Sequence, residues 1–170
     1  MYEIDEQDEL IEIWDLSQSS IGAPIPMFAC DEHTLYLAYY IQNVPDGWDG
    51  ASVKVVGPET TDETVALLRF DCCYAHMFGP PNDEAYAGHP LADRGLEPYS
   101  VFEVKNSSWI RQAERRNSVH LYHKAEYFFE NKRHFIFFHD STYECIAKSF
   151  TGELIQGAAK GVLSDAIKDI

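Results

Sequence analysis

Histidine and carboxylate side chains concentrate in the middle of the chain, where they could bind a metal ion. Six of the seven histidines lie between His76 and His139. Imidazole and carboxylate groups are common ligands of zinc and manganese. No spacing matches a metal motif such as HExxH, so the hypothesis requires at least three of the candidates to converge on one point. The candidate metal ligands are His76, Asp83, Glu84, His89 and His139.

The same segment also has a purely structural interpretation. Asn82 and Asp83 follow two prolines and have the side chains that favour turns. His89 precedes Pro90, which restricts its backbone to extended conformations. Both interpretations stay open from the sequence, and a metal ion is the only cofactor that the residues suggest.

A second group of reactive residue types lies further along the chain, at His139, Asp140 and Ser141. These three are adjacent, whereas the members of a catalytic triad converge from separate segments, so a triad is not indicated. His139, Asp140 and Glu144 remain candidate catalytic residues, with Asp140 or Glu144 as a general base. If Glu144 faces outward it is an ordinary solvated carboxylate, and if it faces inward it needs a partner, for which an arginine of the short helix at 109–117 is a candidate.

A helix N-terminus supplies the one place suited to an anion. Ser107 and Ser108 precede a helical run predicted over 109–117, and free N–H groups at a helix start favour negative charge. Arg111 and Arg115 share a face of that helix and add positive charge. A solvent-exposed helix face is the alternative interpretation of the two arginines.

The elements that must position these residues are mostly strands. Turn residues separate short runs rich in Val, Ile and aromatic residues, which is typical of an antiparallel sheet, and the order of elements predicts an α+β fold. A long irregular loop is predicted over 79–98, since it holds four prolines. We predict strands over 34–42, 51–56, 64–78 and 99–104, and a hairpin from 134–138 and 142–147. We predict helices over 109–117, 125–131 and from 153 onward, with an alternative start for the last near Gly161.

The net charge of the chain disfavours nucleic acids and anionic membranes as partners and favours a basic protein. The chain has 170 residues, long enough for one domain with a real core, and a net charge of −15, from 13 basic and 28 acidic residues. Too few cations are present to neutralise the phosphates of a nucleic acid, and an anionic membrane would repel the chain. A basic protein would instead be attracted. Residues 1–15 of the ambiguous N-terminal segment 1–16 carry seven acids and no base.

The cysteines and the N-terminus predict a cytoplasmic protein. No basic and apolar signal sequence opens the chain, and no apolar run has the length of a membrane span. The four cysteines have neither CxxC spacing nor the density of a disulfide framework, so we expect reduced thiols that pack mainly as small core residues. They are Cys30, Cys72, Cys73 and Cys145.

The central third of the chain resembles a set of bacterial proteins of similar length and unknown function. The resemblance implies a bacterial cytoplasmic setting and no particular activity. It rests on Gly88-His89-Pro90-Leu91, Gly95-Leu96-x-Pro98-Tyr99, Phe102-Glu103-Val104, Asn106-Ser107-Ser108-Trp109-Ile110 and Phe138-His139-Asp140-Ser141-Thr142.

The sequence leaves three functional hypotheses. The favoured one is a small, acidic, non-enzymatic protein that binds a basic protein partner, as an immunity protein or a regulator does, through its acidic N-terminus and exposed aromatic residues. The alternative is a small metal-dependent hydrolase that uses the 76–89 loop and the 139–144 hairpin. The third is a module that binds a small ligand at the Ser108 helix terminus and its arginines.

Overall fold

Two antiparallel sheets organise the chain. A computed structural model describes residues 2–43, 51, 54–138 and 140–169. With strands numbered in chain order, the five-stranded sheet runs β1 (Glu9–Glu12), β6 (Val101–Lys105), β7 (Arg133–Phe138), β8 (Thr142–Ala147), β5 (Ala75–Gly79). The four-stranded sheet runs β2 (Met27–Cys30), β3 (Thr34–Tyr40), β4 (Thr64–Asp71), β9 (Ser149–Gln156).

The main core lies between the two sheets. Successive side chains of a strand point to opposite faces, so alternate residues of β3 and β7 reach this interface and their neighbours point away. Apolar side chains packed against one another in this way are the main stabilising element of a sandwich. The fully buried members with the largest side chains include Leu35, Leu37, Tyr39, Phe70, Phe135, Phe137 and Tyr143.

The other face of the four-stranded sheet packs against the C-terminal helix α3 (Ala159–Ala166). Tyr36, Ala38 and Tyr40 alternate with the core residues of β3 and face this helix. The Tyr40 hydroxyl accepts a hydrogen bond from the backbone N–H of Ala159 at 3.0 Å, which fastens the helix start to the sheet.

The outer face of the five-stranded sheet is covered by pieces from several parts of the chain. They are the N-terminal segment, two 3-10 turns at Asp83–Gly88 and Ala92–Arg94, and the helices α1 (Ser108–Asn117) and α2 (Ala125–Glu130). Tyr2, Leu91 and Leu96 pack there against Phe102 and Ile136. This arrangement places the N-terminal segment and the long loop over the same patch of sheet.

The α+β prediction is confirmed, with a short central helix and a C-terminal helix. The hairpin of β7 and β8 and the helix α1 also agree with the sequence prediction. The predicted loop 79–98 is irregular apart from its two 3-10 turns. None of the helices that the structure describes has the length and apolarity of a membrane span.

Three element predictions were wrong in part. The predicted strand 51–56 is absent at residues 54–56. Residues 52 and 53 of the same prediction lie outside the described residues. The predicted strand 64–78 divides into β4 and β5, because Cys72 takes a left-handed backbone with φ +51° and turns the chain into the other sheet.

The C-terminal helix prediction was wrong from residue 153, whereas the alternative start near Gly161 lies close to the observed start of α3 at Ala159. Its apolar residues recur at helical spacing, but the segment up to Gln156 pairs with β4 as an edge strand, with Ile155 opposite Val65. Gly157 then takes a φ of +154°, which favours glycine and separates the strand from α3. Pairing with β4 therefore overrides the helical pattern of the local sequence.

Candidate functional site

A buried carboxylate lies at the centre of a cluster of buried polar side chains. Glu144 is only 3% exposed. Its Oε2 accepts hydrogen bonds from the Tyr2 hydroxyl at 2.7 Å and from His134 Nε2 at 2.9 Å. Its Oε1 accepts a hydrogen bond from His89 Nε2 at 3.1 Å. Four parts of the chain therefore meet at one carboxylate.

Strand alternation explains why Glu144 faces this cluster. Its neighbours Tyr143 and Cys145 point into the core between the sheets, so Glu144 points to the outer face of the five-stranded sheet. His134 reaches the same face from the adjacent strand β7, where Ile136 lies opposite Glu144. The N-terminal segment and the long loop supply the remaining two partners.

The hydrogen-bond network assigns the protons of both histidines. His89 Nδ1 accepts the backbone N–H of Leu91 at 3.1 Å, so a neutral ring carries its hydrogen on Nε2 and donates it to Glu144. Ser107 Oγ lies 2.9 Å from His134 Nδ1 and accepts the N–H of Ile110, which leaves its hydroxyl hydrogen to donate to Nδ1. His134 then also donates from Nε2.

Electrostatics keep the carboxylate ionised. Burial by itself raises the pKa of Glu144, but the hydrogen bonds and charge interactions with His134 and His89 outweigh burial and lower this pKa from 4.5 to about 2. Burial, together with the neighbouring carboxylate, raises the pKa of the Tyr2 hydroxyl well above its ordinary value. At neutral pH the cluster is thus an ionised carboxylate surrounded by three hydrogen-bond donors.

This arrangement suits support of the fold better than chemistry on a substrate. The side chains of both histidines are 0% exposed, so the cluster is closed to solvent. Each Nε2 carries a hydrogen and has no lone pair to offer a metal ion. The cluster instead joins the N-terminus, the long loop and the start of α1 to the sheet, and a catalytic role for Glu144 stays an untested prediction.

The predicted anion site at the helix start is filled by a carboxylate of the chain itself. Asp8 is buried and accepts the backbone N–H of Ser108 at 2.7 Å. Ser107 caps the helix by accepting the N–H of Ile110 at 3.3 Å. Arg111 reaches the same carboxylates, with Nη2 2.6 Å from Asp5 and 3.7 Å from Asp8. Arg115 is exposed and forms no ion pair within the described ranges.

The four described metal candidates do not come together. His76 lies on β5 and faces the core between the sheets, with Nε2 3.8 Å from the Cys30 sulfur. His89 lies across the same sheet, in the Glu144 cluster. Asp83 bonds to Tyr99 at 2.8 Å and Glu84 is exposed.

The remaining predicted ligand, His139, lies outside the described residues. In the part of the chain that the structure describes, no three His, Cys, Asp or Glu side chains are placed to hold a metal ion. The metal-site hypothesis and the hydrolase hypothesis that depends on it therefore stay predictions.

Asp140 lies at the surface beside the long loop. Its carboxylate and that of Asp83 both lie within hydrogen-bonding distance of the Tyr99 hydroxyl, at 2.7 Å and 2.8 Å. Burial and the two carboxylates raise the pKa of Tyr99. This contact ties the hairpin turn to the loop, and a general-base role for Asp140 remains untested.

The acidic N-terminal segment is ordered against the sheet. Tyr2 and Asp8 are its buried anchors, and β1 pairs with β6 in antiparallel register, with Glu12 opposite Phe102. Because β1 is the last strand of its sheet, one of its edges has no strand neighbour among the described elements. The structure thus places two of the acids, Glu9 and Glu12, on a strand at an open sheet edge.

Sequence reasoning missed two members of the Glu144 cluster. Tyr2 gave no signal, because its contact spans 142 residues of chain. A signal was present for His134, since the predicted hairpin places it two residues before Ile136 and on the same strand face, and Ile136 lies opposite Glu144. The importance of Asp8 was hidden among seven N-terminal acids.

Comparison with known proteins adds no further assignment. No family model matches the chain, and no significant match appears among curated proteins or solved structures.

Proposed function

We propose that the protein is a non-enzymatic binding protein whose acidic edge strand β1 takes up an extended basic segment of a protein partner. The main support is that β1 is the edge strand of its sheet, lies in the acidic part of the chain and is followed by an exposed tryptophan. Addition of a strand to a free sheet edge is a common mode of peptide recognition. A basic toxin held by an immunity-like protein, or a basic regulatory target, would be such a partner.

The backbone geometry of β1 supports strand addition. The Ile13 N–H donates to the Val101 carbonyl at 2.8 Å, toward β6. In an antiparallel ladder, residues alternate between pairing with the neighbour and pointing away from it. Leu10 and Glu12 therefore point their backbone N–H and C=O groups away from β6. These groups are available to a second strand.

The charge of the segment selects the partner. Two of its acids are used internally, since Asp5 pairs with Arg111 and Asp8 bonds to the start of α1. The other five form no ion pair in the described chain: Glu3, Glu6, Glu9, Glu12 and Asp15. Acidic side chains on an edge strand oppose pairing with neutral or acidic strands, but they attract a lysine-rich or arginine-rich one.

Apolar anchors accompany the charge. Trp14 lies two residues beyond the end of β1 and is 79% exposed, and Ile11 within the strand is 42% exposed. Tryptophan is among the residues most enriched at the centres of binding interfaces. A basic strand with alternating apolar residues would place its cations on the face of Glu12 and its apolar side chains on the opposite face, beside Ile11.

The proposal is tested by titration calorimetry with a short synthetic peptide in which lysine and valine alternate. We expect binding that weakens as salt is added, because exposed charges are screened. A peptide in which glutamate and valine alternate should not bind. Absence of binding by the lysine peptide, or equal binding of both peptides, would refute the proposal.

Variants locate the interaction. Glu12→Lys should weaken binding of the lysine peptide by about threefold or more, as a reversed charge at a rim does, and Trp14→Ala by about fivefold or more. Glu153→Lys is the matched control, since Glu153 is an exposed acid on β9, an edge strand of the other sheet. Equal losses for the control and for Glu12→Lys would mean that net charge, and not the β1 edge, attracts the peptide.

A further inference from the structure

A pocket of about 350 Å³ opens beside the start of α1, next to the side of β1 that pairs with β6. Its volume falls at the lower end of the range for small-molecule sites, about 300–1,000 Å³. Four cationic side chains line it: Lys105, Arg111, Lys132 and Arg133. In a chain with 13 basic residues and a net charge of −15, this is a marked local concentration of positive charge.

Lys132 has no anionic partner. Its ammonium lies over the rings of Phe128 and Tyr74, 4.3 Å and 4.9 Å from their centroids, and no carboxylate within the described residues lies at ion-pairing distance. Partial burial lowers the pKa of this ammonium below its ordinary value. A cation that has lost part of its hydration without gaining a counter-charge is stabilised when an anion binds beside it.

Arg111 adds a second incompletely satisfied cation. Its Nη2 lies 2.6 Å from the Asp5 carboxylate. Its Nη1 is buried and has no hydrogen-bond acceptor among the described residues. A guanidinium N–H of this kind can donate to an oxygen of a bound carboxylate or phosphate.

One carboxylate of the protein already forms ion pairs with two of the pocket cations. Glu103 accepts hydrogen bonds from Lys105 at 2.6 Å and from Arg133 Nε at 3.0 Å. These contacts show that the pocket cations can coordinate a carboxylate. Glu103 engages Lys105 and Arg133, and Asp5 and Asp8 engage Arg111, so Lys132 is the pocket cation that has no carboxylate partner among the described residues.

The rest of the lining is apolar. Val104, Ile110 and the half-exposed Phe129 contribute hydrocarbon and aromatic surface. A pocket that combines an apolar wall with a few charged groups typically orients a ligand that has one polar end and one apolar end.

We propose that this pocket binds a small organic anion, namely a carboxylate or phosphate group attached to an aromatic or aliphatic body. Lys132 and Arg111 hold the anionic head, and Phe129 and Ile110 contact the body. The proposal is independent of strand addition at β1 and assigns no reaction to the pocket.

The test is a titration followed by heteronuclear NMR, with a matched set of four probes. The anionic probes are 3-phenylpropionate and phenyl phosphate, and the neutral and cationic probes of similar shape are 3-phenylpropanol and 3-phenylpropylamine. We expect saturable shifts of the pocket amides with the two anions only, and tighter binding of phenyl phosphate than of inorganic phosphate, because the apolar wall contributes. Equal binding of the alcohol, or failure of both anions to bind at millimolar concentration, would overturn the proposal.

Three variants test the assignment of residues. Lys132→Gln and Phe129→Ser should each weaken binding of phenyl phosphate by about tenfold, the effect of losing one charged hydrogen bond or one apolar contact. Glu103→Gln should tighten binding, since it releases Lys105 and Arg133 for the ligand. Lys160→Gln is the control, because Lys160 is an exposed lysine on α3 that pairs with Glu59.

The directions of these effects decide the outcome. Weaker binding in Glu103→Gln, in a variant shown by circular dichroism to be folded, would mean that the ligand does not compete for the pocket cations. Equal losses in Lys160→Gln and Lys132→Gln would mean that the anion responds to overall charge only. Either result would contradict the proposed site.

Discussion

Replacement of Glu144 by glutamine tests the role of the buried cluster. The carboxylate accepts three hydrogen bonds, from Tyr2, His89 and His134. A glutamine offers one acceptor oxygen, and its NH₂ group would face at least one of the three donors. Removal of one partner from a buried charged network costs about 3–5 kcal/mol, so we expect a loss of that order in the free energy of unfolding near neutral pH.

The pH dependence of the free energy of unfolding gives a second and more specific measure of the contribution of Glu144. The pKa of Glu144 is lowered from 4.5 to about 2 in the folded protein, so the folded state binds fewer protons than the unfolded state. The stabilisation is therefore complete above pH 4.5 and is lost as the pH falls from there toward 2. A difference of this size between the two pKa values corresponds to about 3 kcal/mol.

The assay is urea unfolding followed by tryptophan fluorescence, repeated from neutral pH down to about pH 3. It gives the loss of stability in Glu144→Gln near neutral pH and the change of stability with pH. The wild-type protein should lose stability more steeply than Glu144→Gln as the pH falls, so that the two curves approach each other. The exposed Glu153→Gln on β9 is the control and should change the stability by less than about 0.5 kcal/mol. Parallel curves for wild type and Glu144→Gln would refute the assignment of Glu144 as an ionised, hydrogen-bonded group.

Three further substitutions probe the attachment of the N-terminal segment and the packing of the sheets. Tyr2→Phe removes a hydrogen bond to the Glu144 carboxylate, and should cost about 1.5–3 kcal/mol and speed amide hydrogen exchange in β1. Asp8→Asn weakens the contact with the first backbone N–H of α1, and should lower the urea midpoint by an amount equivalent to about 1–2 kcal/mol. Gly152→Ala would place a Cβ 2.7 Å from the Leu68 side chain, so calorimetry should show a lower melting temperature, from a loss of about 1 kcal/mol or more. An unchanged stability in any of the three would contradict the corresponding contact.

The sequence predicted the parts of the fold that depend on local pattern. Apolar alternation located β3 and the β7–β8 hairpin, and the serine cap located α1. It could not predict β9, because the local spacing there is helical and only pairing with β4 makes it a strand. Likewise, no local signal marks the left-handed backbone of Cys72, which divides the long strand.

For the candidate sites, too, the sequence predicted individual residues but not the contacts that depend on long-range packing. The sequence identified Glu144 and His89 as individual candidates, but their meeting at 3.1 Å depends on how the long loop folds over the sheet. It expected an arginine partner for an inward Glu144, whereas histidines and a tyrosine fill that role. The acidic N-terminus was evident from composition, but its position on a sheet edge depends on the pairing of β1 with β6. Long-range pairing and loop packing are therefore what sequence pattern leaves out.

Strand addition at β1 is tested most directly by comparing Glu12→Ala with Glu12→Pro. Both variants remove the same charge, but only proline also removes the backbone N–H that points away from β6. Calorimetric titration with the lysine–valine peptide should show a modest loss of affinity for Glu12→Ala and a further loss of about tenfold for Glu12→Pro, with both variants folded. Equal affinities of the two variants would show that the edge backbone is not used and would contradict strand addition.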